Sequence, residues 1–285
     1  MTERLAEVGA RIDGIRQLGA VVNAMRGIAA ARAQQARGQL ASVDSYAAAI
    51  AAAIGQALSL PPAIRPKNPA HRQTGSALVV FCAEQGFAGA FSERLLDAAR
   101  ADLGHCKLYL IGTRGGTVAR ERAISPEWSG AMPSHSDGIP KLADVIAEAL
   151  YQRIAAGDID RLDAMFSRWE PGHGCRVERR RLFPIDLTTL TSPKGNDPFV
   201  TLEPTVLIGE LTAAYVHAEL CTAALHAFAA ENEARLQSMT SAHSQIERQL
   251  AELQSVQRIV RQNGITEEII ELAAGETASR TAGRR

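Results

Sequence analysis

The stretch IGELTAAYVHAELCTAALHAFAAENEARLQSMTSAHSQIERQLAELQSVQRIVRQNG, residues 208–264, decides the fold. Alternating steps of three and four from Ile208 land on Leu211, Tyr215, Ala218, Thr222, Leu225, Ala229, Asn232, Leu236, Met239, His243, Ile246, Leu250, Leu253, Gln257 and Val260. That spacing is a heptad seam of about seven repeats, the signature of a long helix that needs a partner along its length. Asn232, His243 and Gln257 are polar positions in the seam, which set register more often than they bind a ligand. The seam is expected to break at the polar Arg261-Gln262-Asn263-Gly264, after which Ile265, Ile269, Ile270 and Leu272 form a second apolar burst.

A second seam opens the chain. Leu5, Val8, Ile12, Ile15, Gly19, Val22, Arg26, Ala29, Ala33, Ala36, Leu40, Val43, Ala47, Ile50 and Ile54 follow the same three-four rhythm, with no proline between residues 3 and 58. Its middle is made of small residues, so a facing helix can come close. At about 1.5 Å per residue each terminal helix is on the order of 85–100 Å long, too long for a compact domain of this size. The economical arrangement pairs the two as an antiparallel two-helix coiled coil, with the residues between them inserted as a small α/β domain.

The intervening sequence changes period. ALVVFC (77–82) and KLYLIG (107–112) read as strands and SERLLDAARADL (92–103) as a helix N-capped by Ser92. Strand, helix, strand implies a parallel crossover. IPKLADVIAEALYQRIAAG (139–157) reads as another amphipathic helix, and DRLDAMFSRW, the turn EPGHG and CRVERRRLFPID as a two-stranded hairpin. The expected organisation is a coiled-coil helix over 1–58, a Pro-rich linker over 59–76, a small Rossmann-like α/β domain over 77–187, a linker over 188–203, a coiled-coil helix over 204–275 and a tail over 276–285.

Composition excludes several function classes. The 31 basic and 31 acidic residues of the 285-residue chain cancel, which argues against nucleic-acid binding. Cys82, Cys106, Cys175 and Cys221 form no CxxC pair and have no histidines at metal-ligand spacing, so reduced, mostly buried thiols are expected and no metal. The apolar run YAAAIAAAIGQALSL (46–60) is shorter than the ~20 residues of a membrane span. The charged N-terminus is no signal peptide, and a soluble protein is expected. There is no GxGxxG, Walker A or GxSxG motif. EQGFAGAF (84–91) follows a strand, but no Lys or Ser/Thr sits where phosphate chemistry needs one, so a tight strand-to-helix turn is a better reading than a phosphate-cradling loop; GTRGG (112–116) also follows a strand and takes the same reading. Between residues 14 and 43 the first helix carries Arg16, Arg26, Arg32 and Arg37 and no acid, either a solvated face or a basic stripe for an acidic partner.

Three segments together resemble one family. RIDGIRQLGAVVNAMRGIAAARAQQA (11–36), with Ala24-Met25 and the small residues after it, VQRIVRQNGITEEIIELAAGETA (256–278) and RLFPI (181–185) are similar to the opening helix, the closing signature and the end of the insertion in gamma subunits of F-type ATP synthases. The family's Asp-Arg-Gly-Leu-Cys-Gly-Gly run is matched only loosely by AEQGFAGAF (83–91), where Gly86 and Gly89 keep their places, and MTSAHSQIERQL (239–250) also diverges, which marks an outlying bacterial branch. The resemblance implies a non-catalytic rotor shaft turning inside a ring of alpha and beta subunits and coupling ion flow, of protons or sodium, to ATP synthesis or hydrolysis. It implies a peripheral place at the cytoplasmic face of the bacterial inner membrane, partners in alpha, beta, epsilon and the c-ring, and no nucleotide, cofactor or metal on this chain. Met25, Arg26, Arg261, Gln262, Asn263, Thr266 and Glu267 are the implied contacts with the alpha/beta ring, and Gln85, Gly86, Phe87 and Gly89 the implied foot on epsilon or the c-ring. The alternative from the residues is a nucleotide-binding α/β enzyme with an oligomerising helical stalk; a plain coiled-coil scaffold leaves the inserted domain without a purpose.

Overall fold

The computed structural model describes residues 2–58, 75–186 and 200–282, so most of both expected linkers lies outside the described residues. Helix α1 spans Thr2–Ala57, and helix α5 spans Pro204–Ala282. Between them come β1 (Ser76–Phe81), α2 (Phe91–Ala98), β2 (Cys106–Ile111), α3 (Thr113–Glu121), β3 (Trp128–Gly130), a 3-10 turn at Ser136–Gly138, α4 (Ile139–Ala155), β4 (Arg161–Glu170) and β5 (Gly174–Phe183). The chain divides into two compact units, Met1–Gly27 with Gln237–Arg285, and Ile28–Leu236.

In the first unit Val22, Met239 and Ile246 are buried together, with Ile15, Met25 and Ala242 against them. Gly19 permits close approach there, because a Cβ on it would lie 3.2 Å from Ile246 Cγ2. Gly9 faces Gln257 at 4.0 Å, so the partners run in opposite order along the two segments.

The second unit is built on a five-stranded sheet in the order β3-β2-β1-β4-β5, in which only β5 is antiparallel to its neighbour. Alternation along β1 divides the core. Ala77, Val79 and Phe81 join α4, Ala36 of α1 and the α5 residues Val216–Ala229 on one face. Leu78, Val80 and Cys82 join Leu95 and Leu96 of α2 and Val118 and Ala119 of α3 on the other. A sheet of mainly parallel strands covered on both faces needs such near-continuous apolar strands. Ala29, Ala33 and Ala36 are all buried, Ala33 and Ala36 at 0% exposure.

Several expectations need correction. The seam stops near Gly264 as expected, with no buried residue among 261–274, but the helix is not interrupted there: α5 runs unbroken through Gly264 and through the residues set apart as a tail, to Ala282. One glycine costs a helix interior only about 1 kcal/mol relative to alanine, and the Glu, Leu and Ala residues that follow favour helix. Ser92 is no N-cap. Helix α2 begins after Ala90 without a side-chain cap, and the buried Ser92 hydroxyl accepts a bond from the Ala83 N–H at 3.1 Å. The helix also stops at Ala98, short of the expected 103. Strand β3, only three residues long, was not expected, and helix α3 begins at Thr113, inside the stretch read as the turn leading to a helix, with Gly115 and Gly116 within it. Finally, α5 is not striped throughout: every residue from Ala218 to Arg235 is buried.

Because Ala33 has no exposed surface, Ala33→Leu is expected to overpack its site and lower the unfolding free energy by about 1–3 kcal/mol, read as a lower midpoint in denaturant titration of the purified chain.

Candidate functional site

Polar groups converge where β1 ends. The loop Ala83–Ala90 leaves the strand with Phe87 at φ 64° and Gly89 at φ 61°, both left-handed. A non-glycine residue there is uncommon and persists only when its surroundings hold it. Phe87 is also 66% exposed, so its ring contributes little to that holding. Two carboxylates supply it instead.

Glu84 ties the ends of three strands together. Its Oε2 accepts from the Thr113 N–H at 2.9 Å and the Met132 N–H at 2.8 Å, and its Oε1 from the Thr113 hydroxyl at 2.7 Å. Thr113 opens α3, so Glu84 occupies the first-turn amide that would otherwise be free to hold an anion. The turn is tight: Gly112 has φ 107°, and a Cβ there would fall 2.5 Å from the Cys82 carbonyl oxygen.

The second carboxylate comes from α5. Glu231 is 2% exposed, and its two oxygens accept from the Glu84 N–H at 3.1 Å and the Gln85 N–H at 3.2 Å. Arg235, one turn on, pairs with Glu231, donates Nε to the Gly86 carbonyl at 3.2 Å and Nη1 to Asn232 Oδ1 at 3.0 Å. Burial pushes the Glu231 carboxyl up from its usual value, against the guanidinium and the two amides that favour its charged form. Glu233 points elsewhere and pairs with Arg37 of α1. Neither Glu84, Glu231 nor Arg235 was singled out from sequence. The available signal was ENEAR (231–235), an acid and a base four apart inside the otherwise apolar CTAALHAFAA…L run.

The expected contact residues lie in three places. Gln85, Gly86, Phe87 and Gly89 lie together and exposed on this loop, beside a hollow of about 280 Å3 rimmed by Glu93 and Arg114. Arg261, Gln262, Asn263, Thr266 and Glu267 lie together and exposed on α5, with the Thr266 hydroxyl bonded to the Gln262 carbonyl at 3.0 Å. Ile265, Ile269, Ile270 and Leu272 beside them are 53–75% exposed. Met25 and Arg26 are half-buried on α1, Arg26 bonded to Asn23 at 2.8 Å. The basic stripe is only partly free, since Arg37 pairs with Glu233 and Arg16 with Asp13.

No catalytic set emerges beside them. His217 lies 3.9 Å from Cys221 Sγ and 3.0 Å from Asp144, but burial and Asp144 push that thiol up to about 12, which keeps it protonated. Among the described residues no three His, Cys, Asp or Glu side chains gather at metal-binding distance, and no helix is long and apolar enough to cross a membrane.

The family model described as ATP synthase matches residues 4–278. Gamma chains of ATP synthase from Parafrankia sp. (strain EAN1pec) and Kineococcus radiotolerans are 27% and 25% identical to this chain, over 98% and 100% of both partners. The chain belongs to the ATP synthase gamma-chain family. Its fold matches as well. A chain of the Euglena gracilis mitochondrial ATP synthase OSCP/F1/c-ring structure superposes with a TM-score of 0.68 over 100% of this chain and 97% of that one at 10% identity. A chain of the Tetrahymena thermophila central stalk and c-ring reaches 0.57 over 78% and 99% at 15% identity. The fold is therefore shared with these chains at little sequence identity.

Glu84→Ala strips one acceptor group from three donors, and the expected cost is about 1–3 kcal/mol. Hydrogen exchange checks its origin: the Thr113 and Met132 amides should lose protection before the rest of the sheet does.

Proposed function

We propose that this chain is the rotating central stalk of a bacterial F-type ATP synthase, peripheral at the cytoplasmic face of the inner membrane. The observation that carries this reading is the long C-terminal helix of a gamma-family chain whose end displays Ile265, Ile269, Ile270 and Leu272 unburied beside Arg261 and Gln262. Apolar side chains so exposed on a helix call for a partner surface. A ring of alternating alpha and beta subunits, closed around an antiparallel coil of α1 and α5, supplies one. Support for that coil comes from the opposite order of partners at Gly9–Gln257 and Gly19–Ile246 and, in the other unit, at Arg37–Glu233.

In this reading the apolar end is a bearing and Arg261-Gln262 a polar catch on one beta subunit at a time, with Asn263, Thr266 and Glu267 beside it and Met25 and Arg26 on the facing helix. Rotor angle then biases each catalytic site among its nucleotide-affinity states, which is coupling between distinct sites. The α/β domain stands on epsilon and the c-ring, and the loop Gln85–Gly89 offers Phe87 to a neighbouring subunit. The chain itself does no catalysis and takes no nucleotide. The residues favour this over a nucleotide-binding enzyme, because Glu84 and Glu231 already accept from the amides at the strand ends where a doubly wound fold would hold a phosphate.

A charge-assisted bond contributes roughly 1.5–3 kcal/mol, enough to bias one site about ten- to a hundredfold. Arg261→Ala is therefore expected to depress cooperative multisite turnover of the reconstituted complex far more than single-site hydrolysis or assembly. Equal loss in both regimes would make Arg261 a packing residue and remove the catch.

A further inference from the structure

We infer that Glu231 and Arg235 form a torsional joint that makes helix α5 and the α/β domain turn as one body. The inference rests on the rotor reading and adds to it the residues that carry twist within this chain.

A shaft must resist rotation about its own axis, and apolar packing does this poorly. Leu220, Leu225 and Phe228 anchor α5 in the core, but between and beyond them the residues against the sheet and its loops are small: Ala223, Ala224 and Ala227 on one core, Ala230 and Ala234 on the other. Alanines let the helix come close, but they are short and non-directional, so they resist separation more than sliding. Elsewhere among the described residues, Arg180–Glu219 and His217–Asp144, each at 3.0 Å, join side chains with one partner partly or largely exposed, so water competes for them. His217 Nε2 to the Pro140 carbonyl at 3.3 Å and Cys175 Sγ to the Ala230 carbonyl at 3.5 Å reach main chain, but each through a single long bond.

The Glu231–Arg235 contact differs in three ways. Both side chains are nearly fully buried, at 2% and 5%. They reach main-chain atoms, the N–H groups of Glu84 and Gln85 and the carbonyls of Gln85 and Gly86, which cannot swing away as a side chain can. The loop also presents two donors, the Glu84 and Gln85 N–H groups, followed by two acceptors, the Gln85 and Gly86 carbonyls, so displacement in either sense stretches a charge-assisted bond. Glu84 in turn fastens that loop to α3 and to Met132 after β3. Two residues along α5, about 200° around the helix, Glu233 pairs with Arg37 of α1. One turn of α5 is thus fixed to the domain on one side and to the other long helix on the opposite side.

The test uses the assembled complex, held on a surface by its ring, with a bead on the α/β domain. In the stalled complex the spread of bead angles reports torsional stiffness. Arg235→Ala is expected to lower stiffness by about twofold or more while ATP hydrolysis keeps its rate, and Arg235→Lys, which keeps the charge but not the planar fork, to fall between. Glu231→Gln, nearly the same shape, serves if Arg235→Ala does not assemble, with the same loss expected. Stiffness equal to wild type in these variants overturns the joint, as does a loss that Arg235→Lys does not recover at all, which would make Arg235 a packing residue. A wild-type bead that does not turn on ATP overturns the rotor reading first, and that outcome is separate from a rotor that turns with unchanged stiffness in the variants.

Discussion

A helix buried on every side can carry charge only where each charge is answered, and α5 is buried on every side from Ala218 to Arg235. This constraint organises the molecule. The residues that meet the sheet and α1 along this stretch are mostly small or apolar, and its charges, at Glu219, Glu231, Glu233 and Arg235, each find a partner: Arg180, the loop amides, Arg37, and the loop carbonyls with Glu231. Leaving one of them alone would cost several kcal/mol. The loop after β1 takes its left-handed turn at Phe87 because α5 fixes its main chain, and Glu84 passes that constraint to the neighbouring strand ends.

Outside that stretch the same helix follows a different rule. Beyond Leu236 its burial falls to the seam positions, Met239 and Ile246 among them, and past Val260 most side chains are exposed. One continuous element is therefore buried on every side over one stretch, buried at spaced positions over the next, and exposed over most of residues 261–274.

The long helices, the parallel strands and the hairpin were legible in the sequence because their periodicities are long and clean. Every position of the first seam from Leu5 to Ile54 is buried or half-buried. The failures have physical causes. Arg261-Gln262-Asn263-Gly264 reads as an interruption of the helix, but one poor helix former does not interrupt it, and the residues after it favour helix. Ser92 has the chemistry of a cap yet is recruited by the Ala83 amide, a tertiary contact no local pattern reveals. The collar at Glu231–Arg235 was hidden because a heptad reading assigns one face to the core, while here the sheet covers a second face that only the fold brings in. Arg261, Gln262 and their neighbours were legible through resemblance, since their chemistry is expressed toward another subunit.

The central claim is that this chain turns inside a catalytic ring. The direct measurement is single-molecule observation of the chain reconstituted with its alpha and beta subunits, the ring fixed and a bead attached to the α/β domain. Sustained rotation in one sense that requires ATP and stops when ATP is removed is the expected result. A chain that binds the ring but stays fixed while ATP is hydrolysed would contradict it.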